Sequence, residues 1–338
     1  MSQAKPQITV LIPCYNVADY LEEALTSIVR QTETDLEILC LNDGSTDNTG
    51  DILRRFANED PRFRLLNHTQ NQGIINSRNT LLAEARGHLL AWFDADDIAH
   101  PNRLSKQKAF LEQRSDHIAV TCEYIEFSEH DEIYRKRDPR DVSRETLLFY
   151  NYVLNPGTMV RADVLKEASI TFDETLAGAS DYQFWVDVSR HGQIGVIHEP
   201  LMRYRRHNQQ ESTAQIRRQL QGCQQIVTRQ LAAMGVNIPD ENLMAQFLIY
   251  PADILKLPYS TKSMRTAALI GAQILSCYER ASYTDEVAVL TVHLLRRHAV
   301  RTGLAGLYYF TRTVGLKKFL EGKYFGAALA LDCLRRKY

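Results

Sequence analysis

Leu89-Leu90-Ala91-Trp92-Phe93-Asp94-Ala95-Asp96-Asp97 is the stretch whose reading decides the fold. Five apolar residues run directly into three carboxylates within four positions. A short apolar run of this kind reads as a buried strand. Carboxylates clustered at its end put oxygen donors at the edge of a sheet, where a hard divalent cation can sit. An acidic surface turn is the competing reading, because charge clusters are usually solvated. The neighbouring segments decide between the two.

Upstream, strand-like and helix-like segments alternate. Ile8-Thr9-Val10-Leu11-Ile12 is β-branched and apolar, a buried strand stopped by Pro13-Cys14-Tyr15-Asn16. Asp19 is placed to cap a helix running to about Val29, with Leu21, Ala24, Leu25 and Ile28 on one face. Leu36 to Leu41 reads as a second strand, followed by the polar turn Asn42-Asp43-Gly44-Ser45-Thr46-Asp47. A helix to about Ala57 and a strand at Phe63–Leu66 come next. A helix from Ile74 to Ala85, ended by Gly87, then leads into the opening strand. Strands alternating with helices at this spacing predict an α/β fold with a doubly wound, mostly parallel sheet flanked by helices. Ligands bind such sheets beyond the carboxyl ends of the strands. Three strand ends here carry polar loops: Pro13–Asn16, Asn42–Asp47 and Asp94–Asp97. Their convergence on one edge is harder to explain as accident than any one loop alone.

Downstream, a helix is expected from His100-Pro101 to about Gln113, a strand over Val120–Phe127, and a charged connector over Glu129–Arg144. Asn155–Val160 reads as a turn entering a strand. Asp181 stands at the head of a helix over Tyr182–Arg190 as a candidate N-cap, and strands follow at Ile194–Ile197 and Leu201–Arg205. Beyond Ser212 β-rich runs vanish and long amphipathic helical patterns take over. The domain boundary is therefore placed near 212, dividing an α/β domain (1–212) from an all-helical C-terminal region (213–338).

Bulk composition narrows the function classes. The chain has 338 residues, 44% hydrophobic and 24% charged, with a formal net charge of −1, values ordinary for a soluble globular protein and unlike a nucleic-acid binder. The charge is unevenly spread. Residues 1–212 hold 23 Lys+Arg against 33 Asp+Glu, and residues 213–338 hold 17 against 8. Six scattered cysteines with no C-x-x-C pair fit reduced, buried thiols rather than disulfides or a zinc site. The N-terminus shows no signal-peptide apolar region and no stretch is long enough to span a bilayer, so a cytoplasmic location is expected. The G-x-G-x-x-G fingerprint and the G-x-x-x-x-G-K-[ST] loop are absent, so a phosphate-bearing ligand would be held another way, with metal plus carboxylates as the obvious candidate.

Taken together, the motifs resemble those of family 2 glycosyltransferases with the GT-A fold. Pro13-Cys14-Tyr15-Asn16 resembles the family's P-x-Y-N loop, and Asn42-Asp43-Gly44-Ser45-Thr46-Asp47 its D-D-G-S-x-D loop. Asn71-Gln72-Gly73 with Ser77-Arg78-Asn79 is similar to its N-x-G…A-R-N segment, and Asp94-Ala95-Asp96-Asp97 to its D-x-D-D metal motif. Asp181 with Trp185 resembles its E-D-Y-x-x-W helix, and Tyr204-Arg205-Arg206-His207 its Y-R-x-H ending. The resemblance spans residues 7–212, with the nucleotide-sugar half in about 1–100 and the acceptor half in about 101–212. It implies transfer of one sugar, with inversion, from a nucleotide-diphosphate sugar (a UDP-sugar by family habit) to a glycan or lipid-linked glycan in surface polysaccharide or lipopolysaccharide synthesis.

The resemblance also implies roles. Asp97 would ligate Mn²⁺ or Mg²⁺, Asp96 would reach the metal or the ribose, and His207 would complete the metal–diphosphate site. Pro13, Tyr15 and Asn16 would line the nucleotide, Asp43 would accept a base N–H, and Arg78 would pair with diphosphate or with a nearby carboxylate. Asp181 would be the general base, and Asp94 would support the loop. Two positions depart from the family: Asn42 stands for its first Asp, and Ser180 for the usual Glu before Asp181. A sugar-phosphate nucleotidyltransferase and a non-catalytic nucleotide- or glycan-binding module are the alternatives. The first lacks its Gly-rich basic loop here, and retention of the whole acidic set argues against the second. In the C-terminal region, Leu316–Arg335 reads as an amphipathic helix with a basic flank. It admits packing on the catalytic domain or peripheral contact with anionic membrane.

Overall fold

The structure, a computed structural model, describes residues 5–135, 141–148, 150–176, 178–207 and 216–236, with the isolated positions 268, 270 and 308. The chain divides into two compact units, residues 1–144 with 151–214 and residues 145–150 with 215–338.

In the first unit, β1 (Ile8–Cys14), α1 (Ala18–Val29), β2 (Leu36–Asp43), α2 (Thr49–Glu59), β3 (Phe63–His68), α3 (Ile74–Glu84) and β4 (Leu89–Trp92) alternate as the hydrophobic pattern predicts. The strands lie in the order β3-β2-β1-β4, all parallel. Parallel strands need crossovers, and helices supply them. Strand order reverses beside β1, which opens a crevice at the carboxyl ends of β1 and β4. All seven residues of β1 are buried. The α1 face expected from the 3.6-residue period, Leu21, Ala24, Leu25 and Ile28, is fully buried in the same core.

The sheet then becomes mixed. After β5 (Ile98–Ala99) and α4 (Arg103–Gln113) come β6 (His117–Phe127), β7 (Glu132–Arg135), β8 (Met159–Arg161), α5 (Ala162–Glu167), α6 (Ser180–Val188) and β9 (Gln193–Arg205). The order continues β4-β8-β6-β9-β5, with β7 on β6. β8 is antiparallel to both β4 and β6, β6 and β9 are parallel, and β5 runs antiparallel to β9. The mostly parallel sheet expected is thus parallel through β1–β4 and again between β6 and β9, with β5, β7 and β8 antiparallel to their neighbours.

Several local expectations shift for identifiable reasons. The amides at the start of α1 are held not by Asp19 but from the next loop: Val17 N–H donates to Thr49 Oγ1 (2.9 Å) and Ala18 N–H to Asp47 Oδ2 (3.0 Å). Gly87 does not cap α3, whose C-cap is Ala85. A Cβ at Gly87 would stand 2.5 Å from the Thr9 amide, so glycine is required by close approach to β1. The two strands expected over 194–205 are one strand, β9, whose pairing with β6 shifts register around Cys122–Tyr124. The charged connector contains β7, whose four residues are all exposed.

In the second unit, a short 3₁₀ turn at Thr146–Leu148 packs with α7 (Ile216–Ala233), where Ile226, Val227 and Leu231 are buried. Gln230 Nε2 donates to the Leu147 carbonyl at 3.1 Å and to that of Leu148 at 3.4 Å. The helices expected over 267–280, 286–301 and 316–335 lie outside the described residues. Among the described residues, no helix is long and apolar enough to cross a membrane.

Candidate active site

The loops after β1 and β2 are built into each other. Pro13 is buried and pairs with Leu41, beyond the last β1–β4 rung at Leu11↔Trp92, so its missing N–H costs no bond to β4. Tyr15 stands 45% exposed at the rim. Asn16 adopts a left-handed conformation (φ 49°), tolerable for Asn. Its N–H donates to Ser45 Oγ (3.1 Å) and its Oδ1 accepts from the Thr46 amide (2.8 Å). Asn42 Oδ1 accepts from the Ser45 amide at 3.1 Å. That turn asks only for an acceptor, which explains why Asn can stand for the family's Asp.

Asp43 is 3% exposed, and both of its oxygens are engaged. Oδ1 meets His68 Nδ1 (2.7 Å) and the Gln72 amide (2.9 Å), and Oδ2 accepts from the Gly73 amide (2.9 Å). The residue therefore pins the 71–73 turn to the end of β2. Gly44 beside it has φ +66°, and a Cβ there would stand 2.5 Å from the Gln70 backbone.

At the end of β4 the three acids take different places. Asp94 lies 3.8 Å from the Arg78 guanidinium. Asp96 Oδ2 is 2.9 Å from His207 Nε2, with side chains 19% and 16% exposed. Asp97 is wholly buried; its Oδ1 accepts from the Arg205 amide (2.9 Å), and its Oδ2 has no hydrogen-bond partner among the described residues. Burial, then repulsion from Asp96 and Asp94, pushes the Asp97 carboxyl well above the usual range, against the Arg205 amide and the Arg103 charge. Asp94 and Asp96 are partly exposed, and Asp97 is the buried acid of the three.

Two arginines that the sequence reading passed over hold this corner. Arg205 Nε donates to the Asp96 carbonyl (2.7 Å) and its NH2 group to Glu23 (2.6 Å), while its guanidinium lies 5.0 Å from the Tyr20 ring centroid. The same Tyr20 ring packs 4.6 Å from the His207 ring. Arg103 is fully buried, donating to the Trp92 carbonyl at 2.6 Å and, through Nε, to Gln107 at 3.2 Å. Burial lowers its pKa to about 10, although the thiol of Cys122 and the carboxylates of Asp97 and Asp94 favour its charge. Arg205 lies inside the Y-R-x-H stretch, which could have flagged it. Arg103 follows His100-Pro101 and carried no signal.

Asp181 occupies the first turn of α6, whose N-cap is Ala179, so it is not the cap expected. Its Oδ2 accepts from Asn151 Nδ2 at 3.2 Å. Burial raises its pKa; the Arg78 charge, the amides of Tyr182 and Asp181 itself, and the Asn151 bond oppose that. Arg78 stands 3.8 Å from Asp94, and its positive charge favours the ionised form of Asp181. Ser180, where the family has Glu, is buried.

The donor chemistry fits a hard divalent cation. Among the described residues, no three His, Cys, Asp or Glu side chains form a closed ligand set. Mg²⁺-type sites with phosphate substrates do not require one: they use one or two protein ligands and take the remainder from phosphate and water. Asp96 and His207, 2.9 Å apart, are two candidate donors of that kind, and beside them one buried Asp97 oxygen has no hydrogen-bond partner among the described residues.

Comparison with known proteins identifies the family and the fold. Residues 9–166 match the family described as Glycosyl transferase family 2. An uncharacterized glycosyltransferase of Haemophilus influenzae is 33% identical over 265 residues, covering 73% of this chain and 81% of the relative. The chain belongs to glycosyl transferase family 2. The fold is that of solved glycosyltransferases of this type. S. aureus TarS 1–349, in complex with UDP, aligns with TM-score 0.59 at 17% identity over 94% of this chain and 93% of that one. The mannosyltransferase PcManGT of Pyrobaculum calidifontis, in complex with GDP-Man and Mn²⁺, aligns with TM-score 0.54 at 18% identity over 98% and 86%. As a family 2 glycosyltransferase, the chain has its acidic strand end, its Asn16 and Asp43 loops, and Asp181 within the unit that carries the fold.

Proposed function

We propose that the chain is an inverting, metal-dependent glycosyltransferase. It moves one sugar from a nucleotide-diphosphate sugar, a UDP-sugar first, to a hydroxyl of a glycan or lipid-linked glycan in surface polysaccharide or lipopolysaccharide synthesis. One observation carries the reading: the acidic end of β4 and the end of β9 meet, with Asp96 Oδ2 2.9 Å from His207 Nε2 and the Arg205 amide 2.9 Å from Asp97 Oδ1.

Asp181 takes the proton of the acceptor hydroxyl as its oxygen attacks the anomeric carbon. The bond from that carbon to the diphosphate oxygen breaks with its electron pair, and nucleoside diphosphate leaves. Asp96 and His207 would hold Mn²⁺ or Mg²⁺, with Asp97 behind them. When bound, the ion supplies Lewis-acid neutralisation of charge on the diphosphate. The exposed Tyr15 ring packs on base or ribose. Asn16 and Pro13 shape the rim, and Asp43 holds the 71–73 turn while retaining acceptor capacity on Oδ2 for a base N–H. The raised pKa of Asp181 suits a general base, which works best when its pKa approaches the operating pH. The UDP and GDP-Man bound by the two structural relatives support the donor class, and the Mn²⁺ in one of them supports the metal.

A screen of nucleotide sugars for nucleoside diphosphate release, with Mn²⁺, Mg²⁺ or EDTA, tests this. Release from one donor, dependent on the ion, is expected. Equal release in EDTA would remove the metal from the account, and no release from any donor would remove the activity.

A further inference from the structure

Asp181 stands in the first turn of a helix, and the amides of Asp181 and Tyr182 favour its charged form. One further hold on the carboxylate comes from elsewhere in the chain. Asn151 Nδ2 donates to Asp181 Oδ2 at 3.2 Å. The other end of the same amide is also committed, because Asn151 Oδ1 accepts from the Val153 amide at 3.0 Å. A backbone N–H can only donate, so that contact must meet the carbonyl oxygen, and the NH₂ end is left facing the carboxylate. The orientation of the Asn151 amide is thus set by its own turn, independently of Asp181.

The residues immediately before Asn151 are anchored as well. Residues 145–150 belong to the second compact unit. Thr146, Leu147 and Leu148 are buried there, and the carbonyls of Leu147 and Leu148 accept from Gln230. Asn151 is the first residue at which the chain returns to the sheet unit.

We propose that Asn151 is a positioning residue for Asp181, holding one carboxylate oxygen so that the base meets the acceptor hydroxyl ionised and in a single orientation. The inference rests on the reading of Asp181 as the base. Because a hydrogen bond to the charged form favours that form, loss of the donor raises the pH at which the base protonates.

Asn151→Asp is the discriminating variant. It keeps an acceptor for the Val153 amide, so the turn survives, and puts a second carboxylate against Asp181. Asn151→Ser keeps a hydroxyl acceptor for the turn and shortens the reach to Asp181. The readout is the pH profile of UDP release from UDP-sugars (glucose, galactose, N-acetylglucosamine) with Mn²⁺, alongside Asp181→Asn. In Asn151→Asp the acidic limb of kcat should move up by about a pH unit or more, since like charges disfavour ionisation. In Asn151→Ser the limb should move in the same direction by less. Donor KM should stay within about twofold in both, since neither variant touches the donor corner. An acidic limb unmoved in both variants, with Asp181→Asn inactive, would overturn the Asn151 assignment alone. Asp181→Asn turning over at the parental rate would overturn the base reading beneath it.

Discussion

Arg205 shows how much of the acidic corner depends on a residue outside the acidic cluster. Its amide holds Asp97, its Nε the backbone of Asp96, and its terminal nitrogen Glu23 of α1. One residue, through its amide and its side chain, thereby ties together the ends of β4 and β9 and α1. Arg205→Gln keeps the amide bond to Asp97 and loses the two side-chain bonds. Outer contacts of this kind typically tune metal affinity about 10- to 100-fold. Mn²⁺ titration in the presence of UDP should show weakening of about tenfold, with the circular dichroism spectrum unchanged. Undiminished affinity would reduce Arg205 to packing. Residues of this type resist sequence reading for a physical reason. Asp94, Asp96 and Asp97 are conspicuous as an acidic cluster, but which of them is accessible depends on an amide 108 residues away. Arg103 likewise finds its partner in the carbonyl of Trp92, which no side-chain pattern announces.

At the scale of elements, β1–β4 and α1–α3 were legible because each carries its own periodicity, as the buried face Leu21, Ala24, Leu25 and Ile28 illustrates. The mixed half was not, because whether β8 and β5 run parallel or antiparallel to their neighbours is decided by tertiary pairing. The helix caps were misread for a similar reason, since α1's donors are satisfied from the following loop. Asp47 is the key residue there. Burial disfavours its charge, but bonds from Thr49 and the Ala18 amide outweigh this and hold its carboxyl below the usual range. A depressed folded-state pKa contributes stability above the unfolded value of about 3.9, and that stability is lost as pH falls through the folded value. Asp47→Ala should cost about 1–2 kcal/mol in urea unfolding at pH 7, the range for a lost cap. The difference from the parent should shrink as pH drops below about 4. A difference independent of pH would show that the Asp47 charge is not what matters. Gly87→Ala tests the β1 approach: a Cβ 2.5 Å from the Thr9 amide forces backbone movement. About 1–3 kcal/mol of destabilisation follows, as for overpacked cores. An unchanged melting temperature would mean that β1 and the 85–88 segment separate freely.

On the scale of the whole molecule, the chain leaves its sheet unit at 145 and returns at 151, and Gln230 holds that excursion by two carbonyls. Gln230 is 7% exposed, so Gln230→Leu removes a buried donor from the carbonyls of Leu147 and Leu148. The expected cost is about 1–3 kcal/mol, read as faster hydrogen exchange of amides in 145–150 and in α7. Exchange identical to the parent would contradict the anchoring.

The most direct test of the account is Asp181→Asn, with UDP-sugar affinity measured by calorimetry and sugar transfer or donor hydrolysis measured in the same Mn²⁺ buffer. The account predicts donor affinity within about twofold of the parent and turnover reduced by about 10²- to 10⁴-fold, the usual contribution of a positioned general base. Parental turnover in Asp181→Asn would contradict it, and loss of donor binding in step with turnover would place Asp181 among the donor contacts instead.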